Sequence, residues 1–327
     1  SDYKIYIMTS DRDLDEQEPY ENVTINQWIN FCENVQIFYA SPSKLNWINI
    51  IREIKNLSPD CIYLNSMYSL YFTIYPLLMK RINLINIPIV LSPSGMLKES
   101  ALKLKSFKKK CFLTGLNIIK IQQVVDFQAA DTQERMDIIK AFGEKALVSL
   151  VPYAPPPLID KIICPVNTKG SLKLLFTGRI HPIKNLYFLI ECLITVIHKV
   201  ELTIVGPVGD KGYYNKCRKL EAYLPTNIKL IFTGGVSKEK IPFYLNENHF
   251  LALPSLGENF SYSIVEALSF SRPVIISDNT PWKNLAQQKV GWDLPINECK
   301  RFIEAINAAA EMDQDEYNKW SDAARSF

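Results

Sequence analysis

Glycine is scarce in this chain. Only 12 of its 327 residues are glycine, and none precedes Gly95. That excludes a phosphate-cradling glycine-rich loop from everything before that position, because such a loop needs bare backbone to approach its ligand. Charge of one sign is also lacking: the net charge is +3, so no general attraction to nucleic acid follows. The seven cysteines include no CxxC pair and the three histidines have no ligand-like spacing. This argues against structural zinc and predicts a reducing compartment. No apolar run reaches the length of a membrane span, and no signal-like stretch precedes Tyr3, which predicts a cytoplasmic chain.

Present instead is an ordinary globular composition, 47% hydrophobic and 22% charged, on a chain long enough for two cores. Short β-branched or aromatic runs alternate with helix-length segments. Strands are predicted near Lys4–Thr9, Val35–Tyr39, Cys61–Asn65, Ile87–Ser92, Phe127–Ala130 and Ala146–Val151. A second set falls near Leu172–Thr177, Glu201–Val205, Ile228–Phe232, Phe250–Leu253, Pro273–Ser277 and around Trp292. This rhythm predicts right-handed βαβ units, hence an α/β fold of two doubly wound parallel-sheet domains facing a cleft. The proline-rich VPYAPPPLIDKIICPVNTKGS marks a joint. The reading is a first domain over 1–155, a linker over 156–170 and a second domain over 171–327. Ligands of such sheets sit beyond the carboxyl ends of strands.

Three stretches of the second domain suit a phosphorylated ligand there. GRIHPIKN follows the strand Leu172–Thr177 and places Gly178, Arg179 and Lys184 at its exit. Arginine offers a planar fork and lysine a point charge, a pairing matched to phosphate oxygens. Gly206 and Gly234 follow two further apolar runs and allow backbone to approach a base or ribose, with Val236 close by. In LPSLGENFSYSIVEALSFSRPVIIS a helix beginning near Ser261 aims its free amides at the turn that holds Glu258. Glu266 lies further along that helix, and a carboxylate can accept from two vicinal hydroxyls.

Together GRIHPIKN, TGGV and ENFSYSIVEALSFSRPVIIS resemble the nucleotide-sugar-binding half of the GT-B glycosyltransferases, specifically glycosyltransferase family 4. TPWKNLAQQKVGWDLPI is similar to the segment closing that Rossmann-like domain in bacterial polysaccharide-assembly members, and SPSGMLKESALKLKSFKKK to their acceptor-side loop and helix. The resemblance implies retaining, metal-independent transfer of a hexose from a nucleotide diphosphate sugar to a saccharide or lipid-linked acceptor, with no cofactor. UDP is expected ahead of GDP. It implies that Arg179 and Lys184 hold the diphosphate, that Glu258 contacts the hexose, and that Asn259, Phe260 and Ser261 surround the distal phosphate. Glu266 would take the ribose, while Gly178, Gly206, Gly234 and Val236 frame the nucleotide. Ser94, Gly95 and Lys98 would line the acceptor side.

The chain departs from the family pattern in places. Serine stands at positions 261 and 271, where many relatives carry glycine, and Ser94 stands where the acceptor loop carries arginine. The chain also aligns from the relatives' second strand onward and ends before their last helix, so a first domain shortened at its N-terminus is expected. A non-catalytic nucleotide-sugar-binding or partner subunit is the alternative. Between Lys98 and Lys110 six lysines face one acid, Glu99. With Lys105, Lys108 and Lys109 on one helical face, contact with an anionic inner membrane surface or a lipid-linked pyrophosphate is expected. Asp11-Arg12-Asp13 spells a DxD metal signature, but nothing downstream supplies a third ligand, and no metal site is expected.

Overall fold

Each apolar run marked above contributes a strand. The computed structural model describes residues 3–12, 17–103, 106–152 and 162–327. The chain divides into two units, Ser1–Pro152 and Tyr153–Phe327. Much of the predicted linker, 156–161, lies outside the described residues.

In chain order the first unit holds β1 (Ile5–Ser10), β2 (Trp28–Cys32), β3 (Val35–Ala40), α1 (Trp47–Leu57), β4 (Ile62–Asn65), α2 (Tyr75–Arg81) and β5 (Ile89–Ser92). It continues with α3 (Glu99–Lys103), α4 (Ser106–Ile118), β6 (Asp126–Ala129), α5 (Thr132–Phe142) and β7 (Val148–Leu150). The strands form two sheets, a parallel one ordered β4-β5-β6-β7 and a three-stranded one ordered β1-β3-β2. β1 runs parallel to β3, and β2 antiparallel to it. The sequence reading misses β2. Its WINFC run joins β3 through Glu33 and Asn34, and Asn34 takes the turn's left-handed conformation at φ 62° without the glycine that would signal a hairpin. The core gathers Ile50 of α1, Leu64, Ile89, Leu91 and Phe127 of the parallel sheet and Ile138 of α5.

The second unit holds β8 (Ser171–Thr177), α6 (Leu186–Leu193), β9 (Lys199–Val205), α7 (Lys211–Lys219), β10 (Ile228–Gly234), α8 (Ile241–Glu247) and β11 (Phe250–Leu253). Then come α9 (Tyr262–Ser269), β12 (Val274–Ser277), β13 (Gly291–Leu294), α10 (Cys299–Glu311) and α11 (Gln314–Ser326). Its sheet is ordered β10-β9-β8-β11-β12-β13 with every pair parallel. Counted within the unit this is 3-2-1-4-5-6, the Rossmann arrangement, and the strand order reverses between β8 and β11. Its inner strands are largely apolar and buried. Every residue of FLAL in β11 and VIIS in β12 is buried.

Cys192 of α6 and Cys299 of α10 are paired as a disulfide, while the other five remain thiols. The two partners lie 107 residues apart, a separation that no spacing motif discloses.

Candidate functional site

At the β8–β11 reversal two loops leave adjacent strands side by side. The loop after β8 turns tightly over Pro182–Lys184, capped by His181, whose Nδ1 accepts the Ile183 N–H at 3.3 Å. Burial, with Arg179 close by, pulls the His181 imidazole below its ordinary range, and Asp210 works against this. The loop after β11 is stitched to it by a backbone bond from Leu256 N–H to the Ile183 carbonyl, 2.8 Å. Across this seam Lys184 Nζ donates to Glu258 Oε1 at 2.6 Å. Ser255, 0% exposed, donates its hydroxyl to the same oxygen at 2.6 Å. Ser277, at the end of β12, donates in turn to the Ser255 carbonyl at 2.5 Å. The exits of β8, β11 and β12 thus converge on one carboxylate.

α9 begins at Tyr262, with three residues between it and Glu258. Ser261 is its N-cap residue, at φ 61° and with no side-chain capping bond. Ser271, just beyond the helix, lies at φ 59°. Both serines therefore occupy the left-handed conformation that glycine adopts most easily, the residue expected at these positions from the resemblance. Glu266 sits half-buried on α9; burial lifts its carboxyl above the usual glutamate range, and nearby Lys238 partly offsets this. Phe260 is held from behind, its carbonyl accepting from Trp282 Nε1 at 2.9 Å.

The glycine-marked exits also assemble. Gly178 N–H donates to Val205 O at 3.0 Å and Gly206 N–H to Gly234 O at 2.9 Å, so β8, β9 and β10 end in linked turns. A Cβ on Gly206 would stand 2.0 Å from the Gly178 carbonyl oxygen, so only glycine fits this crossing. Val236 packs against the core beside them. Arg179 is not brought to Glu258. It is exposed, forms no ion pair among the described residues, and runs along Gly209, where an added Cβ would meet its Cγ at 2.4 Å. Asn259 is half-buried in the loop between Glu258 and α9.

In the first unit Ser94 and Gly95 follow β5 in consecutive left-handed conformations, φ 50° and 76°. Ser94 Oγ donates to Asn65 Oδ1 at 2.7 Å, and Gly95 N–H donates to Glu134 Oε1 at 2.7 Å. Lys98 N–H closes the turn on the Gly95 carbonyl at 3.2 Å. Sequence reasoning missed Glu134. This residue is 1% exposed, and its other oxygen accepts the Ala130 N–H at 2.8 Å. The Asp131-x-x-Glu134 spacing at the start of α5 was the available signal, since a third-position glutamate caps a helix start.

One expectation changes. Lys109 does not share an outward face with Lys108: its ammonium donates to the Ala101 carbonyl at 2.5 Å and lies 5.3 Å from the Tyr68 ring centroid. A carbonyl and a ring face close at hand give that ammonium partners within the protein. Lys105 lies outside the described residues, as does Asp13. Asp11 is buried and bonded by Arg12 at 2.7 Å. Among the described residues no group of three or more His, Cys, Asp or Glu side chains converges as metal ligands.

A family model for glycosyl transferases group 1 matches residues 164–327, half of the chain and nearly the whole second unit. The chain belongs to this family. Solved structures similar to it share the GT-B fold of two Rossmann-like domains. Sucrose-phosphate synthase from Thermosynechococcus elongatus superposes with a TM-score of 0.69 at 15% identity, over 99% of this chain and 85% of that one. HepE from Anabaena, in complex with UDP and glucose, gives 0.65 at 16% identity over 89% and 80%. WaaG, a glycosyltransferase involved in lipopolysaccharide biosynthesis, gives 0.64 at 11% over 91% and 83%. At such identities the likeness is one of fold. An uncharacterized 41.2 kDa protein in the cps region of Klebsiella pneumoniae is 24% identical over 174 residues, 53% of this chain and 40% of that protein. The match therefore spans less than half the length of that curated relative. No helix among the described residues is long and apolar enough to cross a membrane.

Proposed function

We propose that this family member is a retaining, metal-independent hexosyltransferase of family 4 that uses a nucleotide diphosphate sugar. Its acceptor is a saccharide or lipid-linked saccharide in surface polysaccharide assembly. The observation that carries the reading is the meeting of Lys184 and Glu258 at the strand-order reversal, beside the N-terminus of α9. Lys184 and Arg179 face the diphosphate and offset its charge as the glycosidic bond to phosphate breaks. The departing phosphate oxygen takes the proton of the acceptor hydroxyl as that hydroxyl attacks the anomeric carbon, so protons balance without a separate base. Glu258 grips the hexose, Asn259, Phe260 and Ser261 surround the distal phosphate, and Glu266 takes the ribose hydroxyls. Ser94, Gly95 and Lys98 belong to the acceptor side. UDP comes ahead of GDP, a choice supported by the UDP named with HepE. A polysaccharide product is supported by the cps-region relative and by WaaG.

The test is hydrolysis of nucleotide sugars, since an active centre leaks some transfer to water. Wild-type protein should release nucleotide from UDP-glucose or GDP-mannose, and Lys184→Ala should release it at least about a hundredfold more slowly with an unchanged melting temperature. Equal rates in the two proteins would remove Lys184 from the chemistry and the proposal with it.

We further infer that the chain works in the cytoplasm against the inner membrane face through α4. Phe107, Lys108, Lys110, Cys111 and Ile118 are all exposed there, an apolar stripe flanked by cations. Flotation with phosphatidylserine vesicles should be lost in Lys108→Glu/Lys110→Glu; flotation unchanged by the reversal would end this reading.

A further inference from the structure

The donor reading leaves a physical problem. Lys184 is assigned to the diphosphate, yet its ammonium lies 2.6 Å from Glu258, the carboxylate assigned to the sugar. Once a doubly charged pyrophosphate arrives it competes for that ammonium, and a side chain aimed mainly by Lys184 would lose its aim as the ligand binds. We propose that Ser255 is the positioning residue that keeps Glu258 directed at the donor sugar when Lys184 turns to the phosphates. The assignment rests on the donor reading above.

Ser255 is suited to this in three respects. Its hydroxyl reaches the same carboxylate oxygen that Lys184 uses, at 2.6 Å, so the bond persists when the lysine moves. It is fully buried, so water does not replace the donated proton and the hydrogen bond to a charged acceptor keeps its strength. Its backbone is itself fixed: the buried Ser277 hydroxyl donates to the Ser255 carbonyl, and β11 and β12 pair just before both residues. The Glu258 N–H adds a bond to the Asn279 carbonyl at 3.1 Å, anchoring the other end of the turn. Aim thus comes from β11 and β12, while Lys184 is carried by the exit of β8. Charge neutralisation and aiming are supplied by different strands, and the first can change without disturbing the second.

The test compares a nucleotide with its sugar conjugate, because Glu258 touches only the sugar. Calorimetric dissociation constants for UDP and UDP-glucose, and for GDP and GDP-mannose, are measured on wild type, Ser255→Ala and Ser277→Ala. In the pair that wild type binds, Ser255→Ala should keep its nucleotide affinity within about twofold and lose about tenfold for the sugar nucleotide, the weight of one hydrogen bond to a charged group. Ser277→Ala, one bond further away, should show the same split at smaller amplitude, and it decides the matter if Ser255→Ala does not fold. A merely structural role would weaken both ligands together, and that outcome, or an unchanged ratio, overturns the assignment alone. Wild type binding neither pair overturns the donor reading and this assignment with it.

Discussion

The two units solve the same packing problem with different margins. In the second, the parallel strands described share one sheet, and β11 and β12 bury every residue. In the first, the seven strands among the described residues divide between two sheets, and β1 leaves Ile5, Tyr6 and Ile7 at least 39% exposed. A strand buried on both faces draws on hydrophobic burial from each side, whereas a half-exposed one depends on its ladder and a few specific bonds. The comparison teaches where buried polar groups are needed. In the second unit they tie irregular chain to an already complete sheet; in the first a single carboxylate helps hold the loops together.

His249 offers the larger test. It precedes β11, is buried, accepts the Lys173 N–H at Nδ1 and lies 3.1 Å from the Val166 carbonyl through Nε2. Burial above all pushes its imidazole down from 6.5 to about 4. Because the folded form has the lower value, its contribution is fully present above about 6.5 and is lost as pH falls toward about 4. The second unit should lose about 3 kcal/mol over that window, read by chemical denaturation at stepped pH. His249→Gln, which keeps an acceptor and a donor but does not titrate, should flatten the profile. An equal acid loss in that variant would show that the imidazole is not its source.

Glu134 sharpens the other side of the comparison at smaller amplitude. Replacing it with Gln leaves one acceptor for two backbone N–H groups, those of Gly95 and Ala130. The first unit should lose about 1–3 kcal/mol and the Gly95 amide its protection from hydrogen exchange, with melting of the second unit unmoved. Retained protection at Gly95 would mean the carboxylate is not what fixes that loop.

How much of this was legible in the sequence follows the same division. The strands of the second unit stand out because burial on both faces leaves near-continuous apolar runs; β2, with Phe31 68% exposed, carries no such run. Lys184 and Glu258 could be found because each lies in a loop leaving the carboxyl end of a strand, where ligands of open sheets collect. Ser255, Ser277 and His249 could not, and Glu134 could be seen only as a helix-start glutamate. Each acts through a contact between segments well separated in sequence or through a backbone partner, and residue type alone discloses neither. Arg179 packs along Gly209 at the next strand's exit, a contact that its place in the sequence does not disclose.

The crossing of Gly206 over the Gly178 carbonyl carries one more consequence. With no room for even a methyl group between them, the turn bearing Arg179 and the turn leading to Gly209 are bolted together at main-chain level. Neither can swing alone. Whatever adjustment an arriving anion provokes in one must be made by both, so this corner behaves as a single rigid ledge and only its side chains are left to respond.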